Sequence, residues 1–230
     1  MKLINAKYEI WDDISDGGLK ELKFLERAAR ICYKSENLIT EDGESGKRLI
    51  KKLIENEHDA MLEHRIISVL FTCDRGISHE IVRHRLASFA QESTRYCNYS
   101  KDKFGNEIVV IKPFFYSQEN ILSLGIPEKE KELRMEFLQQ CFDIWYESCL
   151  CAEESYFNLL ELGSTPQEAR SVLPTSLKTE LLMTANYREW RHFFNLRTAP
   201  AAHPQMRELT VPLLKELQSK LPIIFDDIKV

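Results

Sequence analysis

The sequence predicts an α+β fold in which a mainly antiparallel or mixed sheet is flanked by helices. Segments with strand-like alternation are separated by segments that carry apolar residues at helical spacing. The strand candidates alternate apolar and polar residues instead of forming continuous apolar runs, which favours this class over a doubly wound parallel sheet. A helix predicted at residues 128–162 is far longer than any other element.

The elements of the N-terminal half are predicted from hydrophobic periodicity and from breaks at glycine and proline. Residues 65–73, for example, place Ile67, Val69 and Phe71 on one face of a strand and Ser68 on the other. Ser78 is predicted to cap a short helix. In chain order this half contains a strand at 2–11, helices at 19–32 and 46–56, a strand at 65–73, the short helix at 78–85 and a strand at 108–111.

The long helix is the main element of the C-terminal half. Pro127 suits the first helical position, and the glutamates that follow favour a helix N-terminus. At ~1.5 Å per residue this helix would be roughly 50 Å long, so either part of it packs against another subunit or it kinks. The remaining predicted elements are a short helix opened by the capping box at 165–168, a strand at 178–187, and helices at 190–196 and 206–221.

The composition indicates one globular domain. The chain has 230 residues, of which 43% are hydrophobic and 29% charged, and it contains no repeat, low-complexity tract or Gly/Ser linker. A single domain over residues 1–230 is therefore predicted. The formal net charge of -5 argues against a nucleic-acid coat, because such domains are usually basic.

Membrane and secretion signals are absent from the sequence. The longest apolar run, at 66–73, is far shorter than the ~20 residues that a spanning helix needs. The first residues lack the apolar core of a signal peptide. The six cysteines contain no C-x-x-C pair, so most are predicted to be small buried side chains in a reducing compartment, without structural zinc or disulfides. These features predict a cytoplasmic protein.

Several common catalytic and nucleotide-binding motifs are also missing. The glycines form no G-x-G-x-x-G, and the Gly46-Lys47-Arg48 segment lacks the rest of a phosphate loop. The stretch between His58 and His64 is not H-E-x-x-H, and histidines six residues apart do not share a helix face. No G-x-S-x-G elbow is present.

The first candidate site lies at 83–95. Arg83, His84 and Arg85 are consecutive, and Ser93 is two residues before Arg95. In an extended chain this spacing would place the Ser93 hydroxyl and the Arg95 guanidinium on one face. Such a pair suits a phosphate, since the guanidinium fork matches phosphate oxygens. The alternative is a solvated charged patch.

A second cluster lies at the end of the strand predicted at 178–187. Asn186 and Arg188 are two residues apart, so in an extended strand their side chains would point to the same face. Arg188 and His192 are four residues apart on one face of the following helix, and Arg197 lies near the end of that helix. An amide, two guanidiniums and an imidazole are thus expected together. The alternative is a solvated helix face above a buried aromatic side.

These residues carry a family resemblance. The pattern R-H-R, seven residues, S, one residue, R, which runs from Arg83 to Arg95, resembles the signature of the flavin-dependent thymidylate synthases. The resemblance covers roughly residues 28–205. Its further segments are A-A-R at 28–30, H-D-A-M-L-E-H at 58–64, R-S-V-L-P at 170–174, N-Y-R at 186–188, His192 and N-L-R at 195–197.

The resemblance implies an activity and an assembly. The family makes dTMP from dUMP with methylenetetrahydrofolate as carbon donor and FAD reduced by NADPH as hydride carrier. It also implies a homotetramer with active sites between subunits, small-molecule substrates, no metal, and neither nucleic acid nor membrane as a partner.

The resemblance assigns roles residue by residue. The residues assigned to dUMP are Arg83, Gln91, Ser93, Arg95, Arg170 and Arg197. The residues assigned to FAD are Arg83, His84, Arg85, Gln91, Asn186, Arg188 and His192. Arg197 is the catalytic residue, because a guanidinium at the uracil edge can stabilise the anion formed when N3 loses its proton. His58 is assigned to positioning or to a nicotinamide or folate contact, with a structural role as the alternative.

Some positions depart from the family pattern. Ala90-Gln91 replaces an Asn-Glu pair that many members have, Glu80 replaces a glutamine, and Ala60 replaces a hydroxyl residue. Two alternatives to the enzyme therefore stay open. One is a nucleotide- or RNA-binding module that uses the R-H-R segment. The other is a flavin-binding relative that is inactive on dUMP.

Overall fold

The predicted α+β class is confirmed by a computed structural model, which describes residues 1–116 and 126–230. The strands are β1 (Lys2–Ile4), β2 (Lys7–Ile10), β3 (Ile66–Asp74), β4 (Ala87–Gln91), β5 (Val109–Ile111) and β6 (Lys178–Asn186). The α-helices are α1 (Leu19–Ile31), α2 (Glu44–Glu55), α3 (Arg75–Ile81), α4 (Glu128–Glu161), α5 (Pro166–Ala169), α6 (Tyr187–Arg197) and α7 (Pro204–Lys220). Short 3-10 helices lie at Glu36–Leu38, Asp59–His64, Asp102–Phe104, Phe114–Tyr116 and Arg170–Val172.

The strands form two sheets. A four-stranded sheet has the order β2-β3-β6-β4, and β1 pairs with β5 in a small parallel sheet. The central pair, β3 and β6, is antiparallel. The Tyr187 N–H donates to the Arg65 carbonyl at 3.0 Å, and the Arg75 N–H donates to the Leu177 carbonyl at 3.2 Å. The predicted antiparallel character therefore holds for the strands that precede α3 and α6.

Several sequence-based boundaries were wrong, among them the start of α6, which begins at Tyr187 and not at 190. The strand predicted at 2–11 is two strands, because β1 joins β5 whereas β2 joins the larger sheet. The short helix begins at Arg75 and is capped by Asp74, whose Oδ1 atom accepts the Ile77 N–H at 2.7 Å. Helix α3 both begins and ends earlier than predicted, and the R-H-R segment lies in the connection to β4.

The long helix α4 confirms the prediction closely. It contains 34 residues, which corresponds to roughly 51 Å at ~1.5 Å per residue. Its exposed side includes the large apolar side chains of Leu133, Phe137 and Ile144. Within the described ranges, no helix combines the length and the apolarity that crossing a membrane requires.

The contacts divide the chain into two compact units. Unit 1 consists of residues 1–7, 72–82 and 90–181, and unit 2 consists of residues 8–71, 83–89 and 182–230. Strands β2, β3, β4 and β6 contribute residues to both units. The single domain expected over residues 1–230 stays a prediction.

Unit 1 has a core to which α4 contributes Cys149 and Tyr156. The Trp145 indole N–H donates to Ser176 Oγ at 2.9 Å and so links α4 to the segment before β6. The buried residues of this core are Tyr99, Ile108, Val110, Cys149, Tyr156, Ala169 and Leu177.

Unit 2 has an aromatic core built largely by α6. Trp190, Phe193 and Phe194 of this helix are fully buried, as is Phe71 of β3. Trp190 stacks on Phe194 with 5.6 Å between ring centroids, and its indole N–H donates to the Ile67 carbonyl at 3.0 Å. Burial of each such side chain contributes roughly 1.5–3 kcal/mol, so these aromatic residues determine which face of α6 is inside.

The cysteines agree only partly with expectation. All six are free thiols, but only Cys73 and Cys149 are buried, whereas Cys32 and Cys151 are exposed. Burial raises the pKa of Cys149 to about 11. The prediction that most of the cysteines are buried was therefore wrong.

The two central strands pass directly into helices through side-chain caps. Asp74 at the end of β3 and Asn186 at the end of β6 have nearly the same backbone conformation, with φ/ψ of -76°/166° and -75°/166°. Asn186 Oδ1 accepts the Glu189 N–H at 2.8 Å. Since both residues begin a helix without an intervening loop, the strand fixes the rotational phase of the helix that follows.

We expect Asn186→Ala to lower the free energy of unfolding by about 1 kcal/mol, because it removes the acceptor for the Glu189 N–H. Asn186→Asp keeps an acceptor and should stay within roughly 0.5 kcal/mol of the wild type. Urea denaturation followed by circular dichroism measures both, with Asn195→Ala on the exposed face of α6 as the control. Equal losses in the alanine and aspartate variants would contradict the capping role.

Candidate active site

The site residues predicted from the sequence fall into two groups, one in each unit. Unit 2 contains His58, Arg83, His84, Arg85, Asn186, Arg188, His192 and Arg197. Unit 1 contains Gln91, Ser93, Arg95 and Arg170. The residues assigned to FAD, apart from Gln91, therefore lie in unit 2, whereas those assigned to dUMP occur in both units.

His84 is the buried centre of the group in unit 2 and is only 4% exposed. Its Nε2 atom is 3.1 Å from Arg197 Nε, and its Nδ1 atom is 3.2 Å from Glu189 Oε1. A guanidinium can only donate hydrogen bonds, so His84 Nε2 accepts from Arg197. The imidazole proton is then on Nδ1, which donates to the Glu189 carboxylate. We call Glu189, His84 and Arg197 the His84 triad.

The surroundings of His84 favour its neutral form. Burial lowers the pKa of His84 most, and the neighbouring Arg197 and His192 lower it further, whereas the hydrogen bond with Glu189 raises it. The net direction is downward, so the imidazole is uncharged near neutral pH. The ring also packs edge-on against Phe193, with 4.8 Å between centroids. An uncharged ring fits both this apolar contact and its role as an acceptor.

The arginines around His84 are exposed rather than buried. Arg83, Arg85 and Arg188 all face solvent. In the described part of the chain, the side chains of Arg83 and Arg85 form neither a hydrogen bond nor an ion pair. Arg188 Nη1 lies 2.6 Å from Glu63 Oε1, and this hydrogen bond raises the pKa of Arg188. The R-H-R segment thus presents two guanidiniums to solvent and places its histidine inside.

A groove of about 1030 Å³ runs beside α6, and we call it the α6 groove. Asn186, Arg188 and His192 line it, so three of the residues assigned to FAD share one surface. Asn186 Oδ1 already accepts the Glu189 N–H that caps α6, so the two N–H donors of its amide are the groups of this side chain that are left fully available to a ligand. The acidic residues of the lining are Glu55, Glu57, Asp59, Glu63, Glu189 and Asp227.

His58 lies in a different cavity of unit 2. This cavity has a volume of about 370 Å³ and is lined by His58, Cys32, Tyr33 and Met61 among others. Arg188 lines both this cavity and the α6 groove. The His58 side chain is exposed. Because His58 and Arg188 line the same cavity, its ligand-contacting role stays a prediction, with a structural role as the alternative.

One cluster in the described residues has spacing that a metal ion would accept. Ligand-type atoms of His84, Glu189 and His192 lie within 4.8 Å of one another. Both ring nitrogens of His84 are already engaged, however, and the Arg197 guanidinium lies 3.1 Å from one of them. A cation would have to displace that positive group, so the donor set does not favour a metal. The expectation that no metal is bound stays a prediction.

The group in unit 1 lies on a turn, contrary to the extended chain predicted for Ser93 and Arg95. The Cys97 N–H donates to the Ser93 carbonyl at 2.9 Å, and the Arg95 N–H approaches Ser93 Oγ at 3.3 Å. The turn arises because the serine hydroxyl bonds its local backbone, which competes with strand structure. Arg95 Nε donates to Gln167 Oε1 at 3.1 Å, and Arg170 Nη1 lies 3.4 Å from Thr94 Oγ1.

Helix α5 therefore brings the two arginines of unit 1 that were assigned to dUMP to one turn. Its capping box, with Thr165 as N-cap and Glu168 reaching back to it, was predicted from the sequence and is confirmed. Gln167 of α5 contacts Arg95, and Arg170 follows the helix directly. Ser93, Arg95 and Arg170 are thus brought together within unit 1.

Gln91 lies at the end of β4 and is held by two hydroxyl groups. Its Nε2 atom donates to Ser78 Oγ at 2.9 Å and lies 3.3 Å from Thr179 Oγ1. Both amide protons are directed at these groups, so Gln91 can offer a ligand its Oε1 acceptor.

Glu189 is the residue that the sequence analysis missed. It is only 6% exposed, and it contacts a histidine 105 positions away. A local signal was available, because Asn186 followed three residues later by Glu189 matches the pattern of a capping box. That pattern locates the start of α6, but it does not reveal the long-range contact with His84.

The comparisons with known proteins agree on one family. The sequence model described as "Thymidylate synthase complementing protein" (Thy1) matches residues 19–223. A flavin-dependent thymidylate synthase of Corynebacterium aurimucosum is 32% identical over 219 residues, which cover 95% of this chain and 84% of that protein. The enzyme of the same name from Mycobacterium tuberculosis (strain H37Rv) is 29% identical over 229 residues, which cover 96% of this chain and 83% of that protein.

A solved structure has the same fold. The crystal structure of a UMP/dUMP methylase, PolB from Streptomyces cacaoi bound with 5-Br dUMP, matches with a TM-score of 0.77. The match covers 98% of this chain and 96% of that chain at 24% sequence identity. At this identity the match shows the fold alone.

The neutral state of His84 predicts an acid-sensitive contribution to stability. In the unfolded chain His84 titrates near ~6.5, and burial lowers its pKa in the folded protein. The stability that depends on neutral His84 is therefore present above about pH 6.5 and is lost as the pH falls through the folded pKa. We expect the free energy of unfolding to fall more steeply between about pH 7.5 and about pH 5 in the wild type than in His84→Gln.

Urea denaturation at several pH values measures this difference. The matched control is His79→Gln, which removes an exposed histidine of α3 and should keep the slope of the wild type. Parallel pH profiles for the wild type and His84→Gln would show that His84 has the same pKa in both states.

Proposed function

Because this chain belongs to the thymidylate synthase complementing protein (Thy1) family of flavin-dependent thymidylate synthases, we propose that it methylates dUMP to dTMP. In this proposal methylenetetrahydrofolate is the carbon donor, and FAD reduced by NADPH carries the hydride. Flavin dependence follows from the family, whereas the identity of the flavin and of the co-substrates belongs to the proposal. Residues of both groups described above are proposed to take part in this reaction.

One observation carries the proposal beyond the family match. The R-H-R segment and the N-L-R segment are more than 100 residues apart in the sequence, yet His84 and Arg197 share a hydrogen bond of 3.1 Å. Two segments singled out for a common ligand thus share a buried contact. This arrangement is difficult to explain as two independent solvated patches.

The α6 groove is large enough for a flavin nucleotide and offers hydrogen-bond donors beside its acidic residues. Its volume of about 1030 Å³ is at the upper end of the range of ~300–1,000 Å³ for cofactor sites. Arg188 and His192 supply donors inside the groove, and the Asn186 amide supplies two more N–H groups. When bound there, the flavin would supply the redox chemistry, and the chain would supply orientation and charge. Arg83, His84, Arg85 and Gln91 are the remaining contacts proposed for FAD.

Arg197 is proposed to bind the uracil edge of dUMP. A guanidinium carries five N–H donors, and the hydrogen bond to His84 uses the one on Nε. The planar group can donate to a uracil carbonyl and stabilise the negative charge that forms when N3 loses its proton. Because Arg197 is half-buried, this electrostatic effect is screened less than it would be at an exposed position.

The turn in unit 1 is proposed to bind the phosphate of dUMP. Arg95 and Arg170 offer guanidiniums, and Ser93 offers a hydroxyl donor. Arg83 and Gln91 complete the proposed dUMP contacts. His58 is proposed to contact the nicotinamide or the folate, because its cavity shares Arg188 with the α6 groove.

We further propose that the chain forms a homotetramer with active sites between subunits. In this assembly, residues of both groups contribute to active sites that are shared between subunits. Neither nucleic acid nor a membrane is a proposed partner. The apolar side chains exposed on α4 support a further subunit contact. A role in nucleotide biosynthesis fits the cytoplasm, which was the compartment expected from the cysteine pattern.

Arg197→Ala should abolish tritium release from 5-tritiated dUMP while leaving the protein folded and able to bind FAD. We expect a fall of at least ~100-fold, because the donor that stabilises the developing anion is lost. Arg197→Lys keeps the charge without the planar fork and should retain only part of the activity. Arg27→Ala, which removes an exposed arginine of α1, is the control and should match the wild type.

The wild type in the same assay tests the reaction itself. Release that requires FAD, NADPH and methylenetetrahydrofolate together would support the proposed function. FAD binding without release would instead favour a relative that is inactive on dUMP. Absence of FAD binding, with a steeply salt-dependent affinity for oligonucleotides, would favour the binding module. An Arg197→Ala variant that is as fast as the wild type would refute the catalytic role.

Phe137→Glu should weaken the assembly, since it places a charge within the exposed apolar side of α4. Light scattering at several protein concentrations measures the mass, and we expect a shift towards smaller species. Gln139→Glu adds the same charge at ~200° around the helix axis and is the control. A wild type that is monomeric at all concentrations would contradict the shared-site proposal.

A further inference from the structure

Glu189 holds a position that the proposed reaction does not explain. It is a carboxylate that is only 6% exposed, beside a histidine that is only 4% exposed. A buried carboxylate is unfavourable unless it is paired or hydrogen-bonded. Its Oε1 atom lies 3.2 Å from His84 Nδ1, on the side of the ring opposite the atom that accepts from Arg197.

The three side chains of the His84 triad allow one arrangement of protons. The Glu189 carboxylate can only accept, and the Arg197 guanidinium can only donate. Neutral imidazole has one N–H and one lone pair, so its N–H must be on Nδ1 and its lone pair on Nε2. The titratable groups that act on His84 are Glu189, His192 and Arg197, all of them on α6. Glu189 is the acid in this set.

We propose that Glu189 is a positioning residue that acts through His84 to fix the orientation of the Arg197 guanidinium at the uracil. This inference rests on the proposed function, because it assigns Glu189 a part in the work of Arg197. Glu189 itself would not touch dUMP through this contact. It selects the tautomer of His84 whose Nε2 accepts from Arg197 Nε, and that hydrogen bond restrains the plane of the guanidinium.

The nearly isosteric change Glu189→Gln isolates this role. An amide can accept or donate at this position, so the tautomer of His84 is no longer determined. In the other tautomer, the Nε2–H of His84 would face the Nε–H of Arg197, and two donors would oppose each other. Carboxylate-to-amide changes at other carboxylate–histidine pairs reduce turnover through the wrong tautomer while preserving the geometry.

The expected kinetic result for Glu189→Gln is a fall in kcat of ~10-fold or more with less than ~3-fold change in KM for dUMP. The urea midpoint should stay close to that of the wild type. Glu189→Asp keeps the charge on a shorter side chain and should recover part of the lost kcat. A purely structural role would instead lower the urea midpoint and leave the kcat of the folded enzyme unchanged.

A double-mutant comparison tests whether the effect passes through His84. If it does, adding Glu189→Gln to a His84→Gln enzyme should change kcat by less than ~2-fold. If Glu189→Gln lowered kcat by the same factor in the wild type and in the His84→Gln enzyme, the proposal would be overturned. A single Glu189→Gln variant with wild-type kcat would also overturn it.

The tautomer of His84 can be measured without any activity. Nitrogen-15 shifts of histidine-labelled protein should show a protonated Nδ1 and an unprotonated Nε2 in the wild type, and a change in Glu189→Gln. A wild type with the proton on Nε2 would overturn the proposal, even if the variant failed to fold. Failure of the proposed function is distinct, because it appears as a wild type that binds FAD but releases no tritium.

Discussion

The hydrogen bond from the Glu189 backbone N–H to the Asn186 side chain begins α6 at the last residue of β6. With no loop between strand and helix, the phase of α6 follows from the register of the sheet. Trp190 and Phe193 then face the aromatic core, and the polar side chains are left around the groove. A helix that began one residue later would rotate each of these side chains by ~100° and would take Arg197 away from His84.

The buried polar contact in unit 2 depends on that phase. His84 packs against Phe193 while its two ring nitrogens bond to Glu189 and Arg197. A polar group among aromatic side chains is tolerated only when its hydrogen bonds are made, so packing and polar geometry constrain each other. The result is a guanidinium held at a defined place by a residue from a different segment of the chain.

Much of the fold was predictable from the sequence, because local patterns determine it. The alternation of β6, the capping box of α5 and the start of α4 depend on residues that are neighbours in the chain. The cap of α3 was misassigned because Asp74 and Ser78 are both good caps, and only the end of β3 selects between them. The motifs singled out the arginines of the candidate site. Glu189 was missed because its role depends on His84, 105 positions away, which no local pattern reveals.

The exposed ion pair between Arg188 and Glu63 has a consequence for how ionic strength acts on the groove. When an anionic ligand binds Arg188, it replaces Glu63 as the partner of the guanidinium. The number of ion pairs that Arg188 forms therefore does not change. Salt weakens both pairings, and Arg188 should contribute little to the salt dependence of affinity. Arg83 and Arg85, which have no such partner among the described residues, behave differently. An anion that binds Arg83 or Arg85 forms a new ion pair. Most of the salt dependence of the affinity for an anionic ligand should therefore come from the R-H-R segment.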